Sequence, residues 1–393
     1  MVLGIRPDVI RASLIIKKLK SELGSQFEFV WSGQHYSDNM KDIFFRQLEV
    51  PSPDVTLALD TSTDQSMIGT LISSLGNHLD EVKPEAVIFL GDTNTVTGAI
   101  SVASKNIPIV HIEGCMRSYD WRMPEEKYRT AIDHLSDVIY AYLDEYKSQG
   151  VLEGLDPANI VVTGNPIVDV LNHYFLSGKV RLTQSERDSL FSSWGYSGGE
   201  LWSMTCHRRE NVDNRAALSR ILNLAALCPG TVVFPAGYRT QTRIREFKLT
   251  VPPNMRLIDP IGYAELMELI DASTGILTDS GTVVEEAAVL GVPSVQMRTS
   301  TERPQVYDTG GSIKFDPHSE HTDTEMSAVI ISAAKRRNQT WSHTLGDGTA
   351  SHRIADDLIG RFQSKKWSGH TPNPKTRPIL RNYGYGFEER GRP

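Results

Sequence analysis

The sequence predicts an α/β fold built as two Rossmann-like doubly wound domains in tandem. Three observations carry this expectation. Short apolar segments rich in β-branched residues alternate with longer amphipathic ones, the pattern of parallel sheets buried on both faces. The alternation runs in two series, separated by a polar stretch of turn formers. The chain has 393 residues, 39% of them hydrophobic, which is enough for two cores rather than one.

In chain order, Val2-Leu3 is a strand stub ahead of Gly4. The first series continues with strands at Phe27-Trp31, Ala86-Leu90, Pro108-Ile112, Val138-Ala141 and Ile160-Thr163, and helices over Thr63-Val82 and Pro124-Ser136 between them. Turn formers gather from Gly164-Asn165-Pro166 to Gly198-Gly199, so the boundary falls close to residue 170. The second series reads Leu201-Cys206, Thr231-Pro235, Met255-Ile258, Gly275-Thr278, Pro293-Met297 and Ser312-Phe315. A helix at Ala350-Phe362 follows, and from Ser368 to Pro393 the chain is dense in Pro, Gly, Arg and Tyr without any period. The expected division is residues 1–170, residues 171–350, a C-terminal helical piece 351–367 packing back on the first domain, and an extended or disordered tail 368–393.

Composition narrows the function classes. No run of eighteen apolar residues exists and the start has no basic or apolar region of a signal peptide, so a cytoplasmic protein with no membrane partner is expected. Three cysteines, Cys115, Cys206 and Cys228, are too few for a disulfide framework and lack metal-ligand spacing; they read as reduced thiols. A net charge of -7 argues against nucleic acid as a partner.

In open parallel sheets, ligands bind beyond the carboxyl ends of the strands. In this chain those ends are loaded with polar groups. The first half supplies Gly4-Ile5-Arg6-Pro7-Asp8, Gly33-Gln34-His35, Gly91-Asp92-Thr93-Asn94-Thr95 and Glu113-Gly114 with Arg117 nearby. The second supplies Cys206-His207-Arg208-Arg209-Glu210-Asn211 and Thr278-Asp279-Ser280-Gly281-Thr282, running into Val283-Val284-Glu285-Glu286. Singly, each has a plain structural reading: Asp92 and Thr93 as helix caps, Ser280-Gly281 as another cap, His207 as a structural histidine. A helix start at Ser280-Gly281 would equally offer free N–H groups and a positive dipole end to a diphosphate, with Glu286 one turn on for ribose hydroxyls.

Taken together, these segments resemble the non-hydrolysing UDP-N-acetylglucosamine 2-epimerases. The resemblance runs over roughly residues 1 to 362 and also takes in His111-Ile112-Glu113-Gly114, Pro124-Glu125-Glu126, Thr163-Gly164-Asn165 and Thr301-Glu302-Arg303-Pro304. It implies a glycosyltransferase B type pair of domains around an interdomain cleft, a UDP-sugar as partner, a homodimer, and neither metal nor nicotinamide cofactor. The implied reaction expels UDP from C1, removes the C2 proton to give a glycal, then returns a proton to the opposite face of C2 and re-adds UDP. It turns UDP-N-acetylglucosamine into UDP-N-acetylmannosamine for cell-surface polysaccharide synthesis. Carried over by position, Asp92, Glu113 and Glu125 are the acidic trio, and His207 contacts the diphosphate. Arg6 and Arg129 are cleft arginines, and Arg11 stands where Lys is common. On the nucleotide side, Ser280 and Gly281 would hold phosphate, Glu286 the ribose, and the backbone around Leu266 the uracil, with Arg303 a further substrate-binding residue.

Some positions depart from the family pattern. Thr282 replaces a second Gly, the usual Glu-Ala-Gly-Leu-Arg reads Glu113-Gly114-Cys115-Met116-Arg117, and Tyr128 replaces the Asn before Arg129. These lean towards relatives that epimerise modified sugars, UDP-N-acetyl-L-pneumosamine or UDP-2,3-diacetamido-glucuronate. The helix register after Gln34-His35 and the sequence Phe234-Pro235-Ala236-Gly237 argue against activation by a second substrate molecule. A glycosyltransferase of the same fold, and a hydrolysing epimerase in which water traps the intermediate, are the alternatives; a transferase has no use for the acidic trio.

Overall fold

The computed structural model describes residues 1–33, 45, 47–337 and 339–367. The first sheet has seven parallel strands: β1 (Val2–Leu3), β2 (Val30–Trp31), β3 (Val55–Thr56), β4 (Val87–Leu90), β5 (Ile109–Ile112), β6 (Val138–Ala141) and β7 (Ile160–Val162), in the order β3-β2-β1-β4-β5-β6-β7. The second has six: β8 (Leu201–Thr205), β9 (Thr231–Pro235), β10 (Met255–Ile258), β11 (Gly275–Thr278), β12 (Ser294–Met297) and β13 (Ser312–Phe315), in the order β10-β9-β8-β11-β12-β13. In both sheets the strand order reverses beside the first strand, which is the doubly wound topology the sequence predicts. The apolar runs are buried on both faces: every residue of β4, β5, β6, β11 and β12 is buried.

The edge strand β3 was not anticipated. Only two residues pair, with Pro51, Pro53 and Asp54 just before them, so no apolar run marks the site. The capping role of Asp92 and Thr93 also fails. After β4 comes a 3-10 turn, Asn94–Gly98, in which Thr93 holds the N-cap position without any side-chain cap bond. Asp92 is thereby left for the groove.

The chain leaves the first sheet through the helical stretch Pro166–Leu176, which packs against both the Arg6–Leu23 and Gly281–Val289 helices. It returns to the Ala350–Ser364 helix, which lies along Arg6–Leu23 and is tied down by Tyr140 Oη donating to Asp357 (2.7 Å) and by Lys18 with Asp356 (2.5 Å). The two crossings touch: Asn165 N–H donates to Leu345 O at 2.7 Å, beside Gly164 and Gly346, whose φ values of 88° and 126° favour glycine. All three cysteines are buried and unbridged. Among the described residues, no helix is long and apolar enough to cross a membrane.

Candidate functional site

The acidic side of the site is built on turns after β4 and β5. His111, in β5 and fully buried, faces Asp133 through Nδ1 (2.7 Å) and Gly91 O through Nε2 (2.8 Å), so it ties the Gly91-Asp92 turn to the interior. Asp133 also accepts from Cys115 N–H (2.9 Å) and from Arg117 Nη1 (2.7 Å). This web holds Glu113-Gly114-Cys115 in a tight turn in which Glu113 and Cys115 have φ of 76° and 65°. The Gly114-Cys115 departure from the family pattern now has a physical reason. A Cβ on Gly114 would lie 2.2 Å from Ile139, so alanine has no room there, and Cys115 Sγ packs against Gly150, where a Cβ would lie 2.5 Å away.

Asp92 and Glu113 are each held by arginine. Asp92 pairs with Arg129, which also reaches Glu126 (3.1 Å). Burial pushes the Asp92 carboxyl up, but Arg129, with Arg208 and Arg303 behind it, outweighs burial and leaves it below the ordinary carboxylate value. Glu113 is buried. One of its oxygens pairs with Arg11 and accepts from Tyr142 Oη (3.3 Å), while the other accepts from Arg303 Nη2 (2.8 Å). Arg11 donates back to Asp8 (2.7 Å). The other oxygen of Asp8 has no hydrogen-bond partner among the described residues, and burial raises that carboxyl to about 7.

In the Pro124-Glu125-Glu126 segment the two acids separate. Glu126 is fully buried and accepts from Ser118 N–H and Oγ and from Tyr119 N–H, so it shapes the loop. Glu125 is half-buried on the first turn of Pro124–Leu135 and lies in the field of Arg208 and Arg209.

The basic side is built on turns after β8, β11 and β12. Asp279, fully buried, accepts from His207 N–H (3.1 Å), Arg208 N–H (2.9 Å) and Asn211 Nδ2 (3.2 Å), and so fixes the turn that carries His207. The His207 ring is 57% exposed to the water of the groove, while the groove walls surround it. Those walls lower its pKa, opposed by Asp279 at 3.5 Å, so the ring is neutral at neutral pH. Ser280 caps the Gly281–Val289 helix by accepting from Val283 N–H (3.4 Å). The Arg303 guanidinium lies over Gly281, where a Cβ would stand 2.5 Å from Nη1.

Glu302 is the hub of this side. It faces Arg298 (2.9 Å), Arg303, Arg208 (3.8 Å) and Arg129 (4.0 Å), and although burial opposes ionisation these cations hold its carboxyl well below the usual range.

Acids from one half and the phosphate-type helix start from the other therefore meet. Arg303 touches both Glu113 and Gly281, and Arg129 of the first half approaches Glu302 of the second. Across the same groove, Tyr146 Oη donates to Gln305 Oε1 (2.8 Å), and Gln47 accepts from Tyr263 N–H (3.2 Å) at the start of the Tyr263–Ala272 helix. A cavity of about 340 Å3 lined by Val2, Phe27, Leu79, Val87 and Trp367 opens at the amino-terminal edge of the first sheet. The charged constellation lies elsewhere, at the carboxyl ends where parallel sheets bind ligands, so the groove is the candidate site.

The remaining expected residues are placed less uniformly. Arg6 is half-buried within the field of His207 and Glu286. Glu286 is buried, and burial together with Glu285 raises its carboxyl to about 8. Leu266 packs its side chain against the core and spends its own N–H on Gly262 O (3.1 Å), so that amide is not open to a base. Gln34 and His35 lie outside the described residues. Sequence reasoning gave no role to Asp8, Asp279, Glu285, Arg298 and Glu302, although Asp8, Asp279, Glu285 and Glu302 sat inside segments already singled out.

The Glu286 carboxyl sets a pH dependence. With an ordinary value of 4.5 and a folded value of about 8, the native protein holds more protons than the unfolded chain between those limits, so stability falls as pH rises through them. Glu286→Gln is expected to flatten the fall in denaturant midpoint between pH 5 and 8, and an unchanged slope would remove Glu286 as its source.

Two parallel sheets whose carboxyl edges face each other across a charged groove define the glycosyltransferase B class of two-domain α/β proteins. The comparisons sharpen the class. The family profile described as UDP-N-acetylglucosamine 2-epimerase matches residues 17–359. The UDP-N-acetylglucosamine 2-epimerase of Methanocaldococcus jannaschii is 34% identical over 363 residues, which cover 90% of this chain and 96% of that protein. The UDP-2,3-diacetamido-2,3-dideoxy-D-glucuronate 2-epimerase of Pseudomonas aeruginosa is 31% identical over 369 residues, 91% of this chain and 98% of that one. The crystal structure of the Methanocaldococcus jannaschii enzyme in complex with UDP-GlcNAc and UDP matches with a TM-score of 0.82 at 31% identity, covering 91% of this chain and 98% of that one. The chain belongs to the UDP-N-acetylglucosamine 2-epimerase family.

Proposed function

We propose that this protein interconverts UDP-N-acetylglucosamine and UDP-N-acetylmannosamine by eliminating and re-adding UDP. The observation that carries the reading is the meeting of Glu113 with Arg303 (2.8 Å), because it brings a reaction acid to the helix start suited to a diphosphate. The C2 hydrogen of a nucleotide sugar is not acidic, so inversion there needs another route. When UDP leaves C1 with the bonding pair, the sugar gains oxocarbenium character, and loss of the C2 proton then gives a glycal. Proton return to the other face and re-addition of UDP complete the exchange.

Each step assigns work to the groove. Asp92, Glu113 and Glu125 stabilise the cationic sugar and move the C2 proton on its two faces. Arg303, Arg6, Ser280 and Gly281 hold the departing diphosphate, with Arg129 and Arg11 keeping Asp92 and Glu113 in register. His207, neutral in the empty groove, gains basicity beside a diphosphate and can protonate it. Glu286, largely protonated at neutral pH, suits a ribose hydroxyl, and the stretch around Leu266 borders the base. The reading extends to a homodimer acting in the cytoplasm.

A second substrate has specific support in the 31% identity to the diacetamido-glucuronate epimerase. Both are tested together by incubating the protein in deuterium oxide with a panel of UDP-sugars and following C2 by proton NMR. Deuterium at C2 with recovery of a UDP-linked epimer is expected. Free sugar would indicate hydrolysis, and no exchange with any UDP-sugar would defeat the reading.

A further inference from the structure

Arg303 is placed where two demands compete. Its guanidinium meets three carboxylates: Nε donates to Glu285 (2.8 Å), Nη1 pairs with Glu302, and Nη2 donates to Glu113 (2.8 Å). Glu285 and Glu302 belong to the same half as Arg303; Glu113 comes from across the groove. The same guanidinium presses on Gly281, the first residue of the Gly281–Val289 helix. A helix start attracts anions rather than cations, so a guanidinium poised there is suited to an anion that arrives between the two.

Glu113, meanwhile, has no oxygen to spare. One is held by Arg11 and Tyr142, the other by Arg303; Asp8 stands behind Arg11. A carboxylate gripped by two guanidiniums accepts a proton poorly.

We propose that Arg303 is a shared clamp, holding Glu113 while the groove is empty and passing to the diphosphate when UDP binds, so that UDP binding itself releases one oxygen of Glu113 for the sugar. The inference rests on the UDP-sugar reading and deepens it. A diphosphate offers the guanidinium a bidentate, more highly charged partner than a single carboxylate. Arg11 stays on Glu113 throughout and keeps it aimed. The base is thus exposed only when the leaving group is already gripped, which couples proton removal to retention of UDP.

The test is a double-mutant cycle read by calorimetric titration with UDP. Arg303→Gln is expected to weaken UDP binding. Glu113→Gln removes the competitor and is expected to tighten UDP binding about tenfold. In the Arg303→Gln background the same Glu113→Gln change is expected to shift affinity less than about twofold, because no handover remains. Asp92→Asn removes a charge from the same groove, but one paired with Arg129, and is expected to leave UDP affinity within about twofold of the parent.

Equal tightening by Glu113→Gln with and without Arg303, or equal tightening by Asp92→Asn, would show a general charge effect and overturn the clamp. If Arg303→Gln does not fold, the contrast between Glu113→Gln and Asp92→Asn still decides. Failure of the underlying reading looks different: the parent protein then neither binds UDP nor exchanges hydrogen at C2. Failure of the clamp alone leaves both intact and abolishes only the coupling.

Discussion

Asp92→Asn is expected to reduce C2 exchange and epimer formation by about a thousandfold, the range in which general acid–base catalysis is lost, while the protein stays folded and still binds UDP. Asp92 stands directly after β4, free of any capping duty, and is partly open to the groove. Arg129 and its companions keep it ionised, so the amide loses the charge that a cationic sugar requires and the basicity that C2 deprotonation requires. The fold tolerates the change because Arg129 keeps Glu126 (3.1 Å) and Glu302 (4.0 Å) as counter-charges. Single-turnover exchange in deuterium oxide, with circular dichroism as the folding check, measures this. A rate near that of the parent would remove Asp92 from the chemistry.

Asp133→Ala is expected to cost about 3–5 kcal/mol of stability, the scale for breaking a buried ionic network from one side. His111, Asp133 and Arg117 have fully or almost fully buried side chains, and Asp133 joins His111 and Arg117 to the Cys115 N–H. Without it, that N–H and His111 Nδ1 lose their partner, and the positive-φ turn at Glu113 loses its brace. Denaturant unfolding should show the loss at neutral pH. Burial opposes ionisation of Asp133, but His111 and Arg117 win and depress its pKa below 3.8. Its contribution is therefore complete above the ordinary aspartate value and fades as pH falls through the depressed one. The gap between the parent and Asp133→Asn should narrow on acidification, and a gap that stayed constant into strong acid would contradict the assignment.

Much of the architecture was legible because strands buried on both faces appear in sequence as apolar runs. Ile109–Ile112 and Gly275–Thr278 could hardly be read otherwise. The site was legible as a set of strand ends, which is why the sequence points to Asp92, Glu113, His207 and Ser280. Its wiring was not. Arg303 and Glu113 stand 190 positions apart, and no local pattern announces that they touch. Glu302 is one residue from Arg303, yet its place among four arginines depends on how two separate sheets are set against each other. Nor could sequence spacing tell that Glu125 would stay near the groove while Glu126 turned inward to hold a loop. The exchange of Ala-Gly for Gly114-Cys115 looked like a change in specificity. It is at least as much a packing adjustment, since the methyl that Gly114 lacks would strike Ile139 and the thiol of Cys115 fills the space Gly150 leaves.

The paired crossings at Asn165 and Leu345 limit how the molecule can breathe. Joined by two crossings that meet along one flank, the halves are expected to swing about that seam rather than slide. Beyond the seam, part of what joins the halves is solvent-facing, such as Arg209 with Asp64, a kind of contact worth under about 1 kcal/mol. The empty molecule is held across the groove by Arg303 on Glu113 (2.8 Å); once that clamp passes to the nucleotide, the cargo's own charge, seated between the jaws, would keep them shut for as long as a detached nucleotide and its sugar remnant need to stay in each other's company.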